Sequence, residues 1–200
     1  PLQNPPMDES PPTKQEISLL TDIADHPYLG TDKRYKNLGI SARQGTDAKN
    51  GLIGKGLISP ANVDGKVLFE LKPKARELLG ARKIQIPAQV RGGIEHNYWV
   101  EMIKEKLKNT EKFPFKEKDD IDLVVEAYDF TWVVQVETGK SNISKNIKTI
   151  IKARADRRIM VATNKQAEIK IRDILSKSHL HGKETIEVFF VKDFISTLTP

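Results

Sequence analysis

The sequence predicts an α/β protein in two parts, a helical segment closed by a hairpin and a longer segment in which strands and helices alternate. Three observations carry this. Between Thr13 and Gly80, short runs with apolar residues at helical spacing precede two strand-like runs that meet at a turn. From Ile94 onward, an amphipathic helix leads into three strand-like runs and then into helix, strand, helix and strand. Between these parts, Ala81 to Gly93 holds Pro87 and the pair Gly92-Gly93, the composition of a connector, with one short strand expected at Lys83 to Ile86.

Composition bounds the rest. A chain of 200 residues can bury one ordinary core or two small ones, so the division into two rests on pattern and not on length. Hydrophobic residues at 38% and charged residues at 30% suit a soluble globular protein, and a net charge of +6 favours an anionic partner. The absence of cysteine excludes disulfide frameworks, thiolate zinc sites and cysteine nucleophiles, and suits a reducing cytoplasmic (intracellular) setting. No apolar run approaches the roughly 20 residues that span a bilayer, and no signal-peptide layout opens the chain, so no membrane partner is expected. Residues 1–12 (PLQNPPMDESPP) read as a disordered linker. Because the sequence opens on Pro1 and not on Met, it is expected to be part of something longer.

Within the first part, residues 13–80, Ile17, Leu20 and Ile23 mark a helix that breaks at His26-Pro27. A second helix fits Asp32 to Leu38, stopped by Gly39, and a third starts at a Ser41 cap and runs through Ile53. Leu57 to Ser59 and Lys66 to Leu71 flank the turn Val63-Asp64-Gly65, and Pro73 to Leu79 opens a helix at a proline. Three helices, a hairpin and a closing helix make a winged helix-turn-helix. The phrase GLIGKGLISP, followed by the Asp-Gly turn, KVLFEL and KPKAREL, resembles the end of a MarR-like winged-helix domain. That resemblance implies a third helix in the DNA major groove and a wing tip on the backbone, which nominates Ser41, Arg43, Gln44, Lys49 and, on the wing, Lys66. A protein-interaction module is the competing reading, since charges in this segment nearly balance.

In the second part, residues 94–200, a helix is expected over Ile94 to Leu107. Strands follow over Phe113 to Glu117, Ile121 to Tyr128 and Thr131 to Thr138, then a helix over Ser141 to Asp156. A strand at Arg158 to Thr163, a helix at Gln166 to Ser176, a strand at Ile186 to Val191 and a short helix complete a mixed sheet. Alternation along a strand sends Gln135 and Glu137 to one face and Val134 and Val136 to the other. Polar groups therefore stand on a strand apolar enough to be buried, and Asp122 heads a second apolar run. A buried charge needs a partner, and two carboxylates suit a divalent cation such as Mg2+.

The order helix, three strands, helix, strand resembles the core of the PD-(D/E)XK (restriction-endonuclease-like) nucleases, over about Gly92 to Val191. An acid on the second strand and an acid or Gln plus a Lys on the third mark that class, and Asp122, Gln135, Glu137 and Lys140 occupy the corresponding places. The resemblance implies an αβββαβ domain with Mg2+ or Mn2+ on Asp122 and Glu137, and a divalent-metal-dependent endonuclease acting in recombination or mobile-element transfer. It also makes a homodimer plausible, because cutting both strands usually takes two sites. Relatives that resolve Holliday junctions carry an extra acid on the first helix, which nominates Glu95; His96 beside it reads as a surface or helix-capping residue.

One feature departs from the family pattern. A lysine two places beyond Glu137 is missing, since Gly139 stands there and Lys140 follows one place later. Two repairs stay open: Gln135-x-Glu137 is itself the motif, or Glu137 is the ligand and the cation is Lys140 or Lys145. The second is preferred. If neither holds, the domain is an inactive DNA-binding module acting in regulation or assembly. Lys145, Lys148 and Lys152 fall at i, i+3 and i+7 on the next helix, opposite Ile143, Ile147, Ile150 and Ile151, and form a stripe suited to phosphates. The pairing of a winged helix with VQVETGKS is also similar to the C-terminal extension of DNA-translocating ATPases of mobile elements, which would make an ATPase part of the same longer chain a partner.

Overall fold

A computed structural model of the chain describes residues 8–84, 92–109, 115–118, 120–127, 130–178 and 185–198, with side chains except at 109, 115–118 and 127. Two compact units result, Pro1–Glu95 and His96–Pro200.

In the first unit, α1 (Lys14–Asp25) starts at a reciprocal cap. The Thr13 hydroxyl accepts from the Glu16 N–H at 3.2 Å while the Glu16 carboxylate accepts from the Thr13 N–H at 2.6 Å, which satisfies two donors that the first turn leaves orphaned. After α2 (Thr31–Asn37), α3 (Ala42–Gly54) starts at the same device, built from Ser41 and Gln44. β1 (Ile58–Val63) and β2 (Lys66–Leu71) pair antiparallel around Asp64-Gly65, whose φ values of 50° and 73° give the handedness that a two-residue hairpin needs. α4 (Pro73–Ala81) begins on its proline. Leu19, Leu20, Ile23, Leu52, Leu57, Phe69 and Leu79 form the core.

Two polar groups lock this unit. Arg34, fully buried, pairs with Asp22 and donates to the His26 and Leu29 carbonyls at 2.8 Å each, closing the α1–α2 loop. Lys55 at the end of α3 bonds Glu16 at 3.1 Å and Asp8 at 2.9 Å, and the Asp8 N–H reaches the Gly54 carbonyl at 3.2 Å. Within the expected linker 1–12, Asp8 is held because the buried Lys55 ammonium needs carboxylates, and residues 1–7 lie outside the described ones. Close helix packing explains two glycines of α3. An added Cβ at Gly51 would strike the Glu16 carboxylate, and one at Gly45 would lie 2.5 Å from the Tyr35 ring.

In the second unit, α5 (Ile94–Asn109) precedes β3 (Phe115–Lys118), β4 (Ile121–Ala127) and β5 (Phe130–Glu137). Then come α6 (Ile143–Lys152), β6 (Arg157–Ala162), α7 (Lys165–Ser176), β7 (Ile186–Phe190) and α8 (Val191–Thr197). The five strands lie in sequence order as one mixed sheet. β3, β4 and β5 form an antiparallel meander, whereas β5, β6 and β7 run parallel, with α6 and α7 as the crossovers. α6 packs on β4 and β5, and α7 on β6 and β7. Val124, Val133, Met160 and Ala162 meet Ile143, Ile147, Ile150, Ala167 and Ile171 on the helix-covered face. Leu123, Val125, Val134, Val136, Ile159 and Val161 point the other way and are equally buried.

The structure trims several expected elements. The helix expected to reach Asp156 stops at Lys152, because Ala153 turns extended (ψ 139°) and Arg158 donates to the Ile150 and Ala153 carbonyls at 3.1 and 2.9 Å. Of the strand expected at Lys83 to Ile86, Lys83 sits in a turn with φ 57° and Ile84 is in no strand; Gln85 and Ile86 lie outside the described residues. So do Phe113, Pro114 and Tyr128 of the expected strands. Among the described residues no helix is long and apolar enough to cross a membrane.

The Tyr35 contact sets up an inverted propensity effect. Gly→Ala inside a helix ordinarily gains up to about 1 kcal/mol, and Gly54→Ala, with nothing within 4 Å of the new methyl, is expected to follow that rule. Gly45→Ala is expected to lose about 1–3 kcal/mol instead, since the methyl enters the Tyr35 ring. Urea denaturation followed by hydrogen exchange in α3 checks both, and a stabilised Gly45→Ala would refute the packing argument.

Candidate acidic site at the end of the central strands

The residues converge because of strand alternation and register. Leu123 with Val134 is the last pair of β4 with β5, so Asp122 stands next along β4 beside Gln135, and alternation puts Gln135 and Glu137 on the helix-covered face with Val133. Beyond that last pair the ladder is completed by a side chain: the Asp122 Oδ2 accepts from the Val136 N–H at 2.7 Å. Its Oδ1 lies 3.1 Å from Nε2 of His96, in the first turn of α5. Glu137 is fully buried, and its two oxygens accept from the Ser141 hydroxyl and, at 2.5 Å, from the Asn146 amide on α6. Gln135, 5% exposed, keeps an amide oxygen with no hydrogen-bond partner among the described residues.

Electrostatics follow from this crowding. Burial pushes the Glu137 carboxyl above its ordinary 4.5 and the nearby Asp122 charge adds to the rise, while the bonds from Ser141 and Asn146 and the charge of His96 oppose it. For His96, burial favours the neutral ring, but the bond to Asp122, the charges of Asp122 and Glu137 and the Val136 backbone outweigh it and hold the pKa above 6.5. His96 is thus a member of the site and not the surface or capping residue expected from sequence. Its signal was not available there, because its partner lies 26 residues away and is brought near only by the fold.

The remaining candidates are scattered. Gly139, in the expected lysine position, has φ +80° and would set a Cβ 3.4 Å from the Ala167 backbone, so a lysine is disfavoured there. Lys140 is exposed in the bend beyond β5, and Glu95 is half-buried one residue before His96. Lys145, Lys148 and Lys152 are exposed along α6, and Lys145 lies 3.6 Å from Asp120 in a solvated pair. Arg157 and Arg158, which extend this cationic run in sequence, are used internally. Arg157 makes a two-pronged bond to Glu187 and lies over Trp132, and Arg158 closes α6. In the first unit Arg43 and Lys66 are exposed and Lys49 is half-buried, while Ser41 and Gln44 cap α3 through each other.

Among the described residues no three His, Asp or Glu side chains gather as a metal-holding group. The available donors are two carboxylates and the orphaned Gln135 oxygen, an all-oxygen set that fits a hard cation retaining several waters. Comparison with known protein families, with curated proteins and with solved structures finds no match.

The pKa directions fix the sign of a pH effect. A carboxyl or imidazole whose folded pKa is raised contributes stability that is complete below its unfolded value and lost as pH rises through the folded one. Both Glu137 and His96 are raised, so from pH 5 to 8 they remove stability from the second unit. Replacing Glu137 by Gln is expected to flatten that fall, read as the difference between denaturation midpoints at the two pH values. An unchanged difference would mean that the carboxylate is not held at a cost.

Proposed function

We propose that the chain acts on DNA and that its second unit is a divalent-metal-dependent phosphodiesterase of the PD-(D/E)XK kind. The observation that supports this reading is that strand register brings Asp122, Gln135 and Glu137 to neighbouring positions, with the buried Gln135 amide oxygen left unpartnered among the described residues. Asp122 and Glu137 would hold Mg2+ or Mn2+, with the Gln135 oxygen as a further donor. A bound ion of this kind supplies an activated water and neutralises charge developing on a phosphodiester. The chain's own part is to hold the acids still and to gather phosphate. The exposed lysines of α6, which starts four residues beyond Lys140's neighbour Gly139, serve the latter. The first unit's order of three helices, hairpin and closing helix agrees with a winged helix-turn-helix, with Arg43 and Lys49 on the third helix and Lys66 on the wing as its DNA-facing cations.

A second reading, an inactive DNA-binding module, is favoured by the closed lysine position at Gly139 and by the full use of both Glu137 oxygens. The test assays linear, branched and single-stranded DNA with Mg2+ or Mn2+ and with EDTA. Cleavage is expected with metal only, and Asp122→Ala or Glu137→Ala is expected to abolish it while DNA binding is kept or strengthened, since a lost carboxylate repels phosphate less. Wild-type protein that cuts none of these and binds no divalent ion in calorimetry would leave the binding module standing.

Phosphate contact by α6 has its own readout. Changing Lys145, Lys148 and Lys152 together to Gln is expected to reduce the slope of log affinity against log salt by about 2 to 3. A slope equal to that of the wild type would assign these lysines to solvent.

A further inference from the structure

We infer that His96 is the positioning residue for the Asp122 carboxylate, an inference that rests on the metal-site reading of that acid. Asp122 is gripped at both oxygens, by the Val136 N–H at 2.7 Å and by the His96 ring at 3.1 Å. The two grips differ in kind. Val136 belongs to β5, beside Asp122 in the same sheet, so its N–H is fixed by the ladder that also pairs Val136 with Val161. His96 comes from α5, outside the sheet, and among the described residues it is the one side chain seen to bond Asp122. With side chains only 14% and 15% exposed, neither His96 nor Asp122 has much water to turn to, so the carboxylate has one well-satisfied orientation. Without the imidazole, Oδ1 would lose its partner and the carboxylate would pivot about the Val136 bond. Partners of this sort hold metal-ligating side chains in place, and their removal typically weakens metal affinity by about 10- to 100-fold.

Calorimetric titration of the full chain with Mn2+ alone tests this, beside thermal unfolding of the same samples. His96→Ala is expected to bind Mn2+ at least about 10-fold more weakly than wild type. His96→Gln, whose amide N–H can stand near the lost Nε2, is expected to recover most of that loss. A His96→Ala protein that binds Mn2+ as wild type does overturns the positioning role and leaves the metal site intact. Equal weakening in His96→Ala and His96→Gln, in step with equal losses of unfolding temperature, also overturns it, because the ring would then matter only for packing. Wild-type protein that takes up no Mn2+ removes the metal site itself, and the positioning role with it.

Discussion

Burial of the Glu137 carboxylate is the constraint on which the second unit turns. A carboxylate taken wholly out of water is sustained only by dense compensation. Here two donors supply it, Ser141 just before α6 and Asn146 on its first turn, with the helix cap Asn142 between them. One side chain therefore decides where β5 ends and where α6 begins. From that start α6 lays Ile143, Ile147 and Ile150 across Val124, Val133 and Met160. The acid of the candidate site and the packing of one sheet face are thus a single arrangement.

The first unit handles buried charge differently. Arg34 faces a carboxylate and two carbonyls, and Lys55 faces two carboxylates, so each buried cation meets acceptors supplied by its own unit. These groups tie loops and helix ends together, with the Arg34 Nε the one nitrogen of that guanidinium buried without a partner among the described residues. On β4 and β5 the balance is reversed: two acids stand close enough for one to raise the pKa of the other, and a neighbouring amide oxygen is left over. The first unit's buried charges are of opposite sign and paired, whereas the acids of β4 and β5 are of like sign and are held by neutral donors and a histidine.

Much of this was legible in the residues. Thr13 and Ser41 announce their helices by cap chemistry, Asp64-Gly65 its hairpin, and alternation in VVQVE sets Gln135 and Glu137 on one face. These are local effects of a few residues. What stayed hidden depends on distant groups. The early end of α6 is imposed by Arg158, which in sequence looks like one more cation of a basic run. The anchoring of Asp8 requires Lys55, 47 residues on, and the role of His96 requires Asp122. Spacing along the chain carries no trace of such pairings.

The division of labour around α6 bears on how the chain can change over generations. Its isoleucines are committed to the sheet and its ends to Asn142 and Arg158, but Lys145, Lys148 and Lys152 carry none of the packing. Substitution at those three positions is therefore close to neutral for folding. Surface charge there can change one residue at a time, whereas a change at Glu137 also disturbs the hydrogen bonds that join β5 to α6.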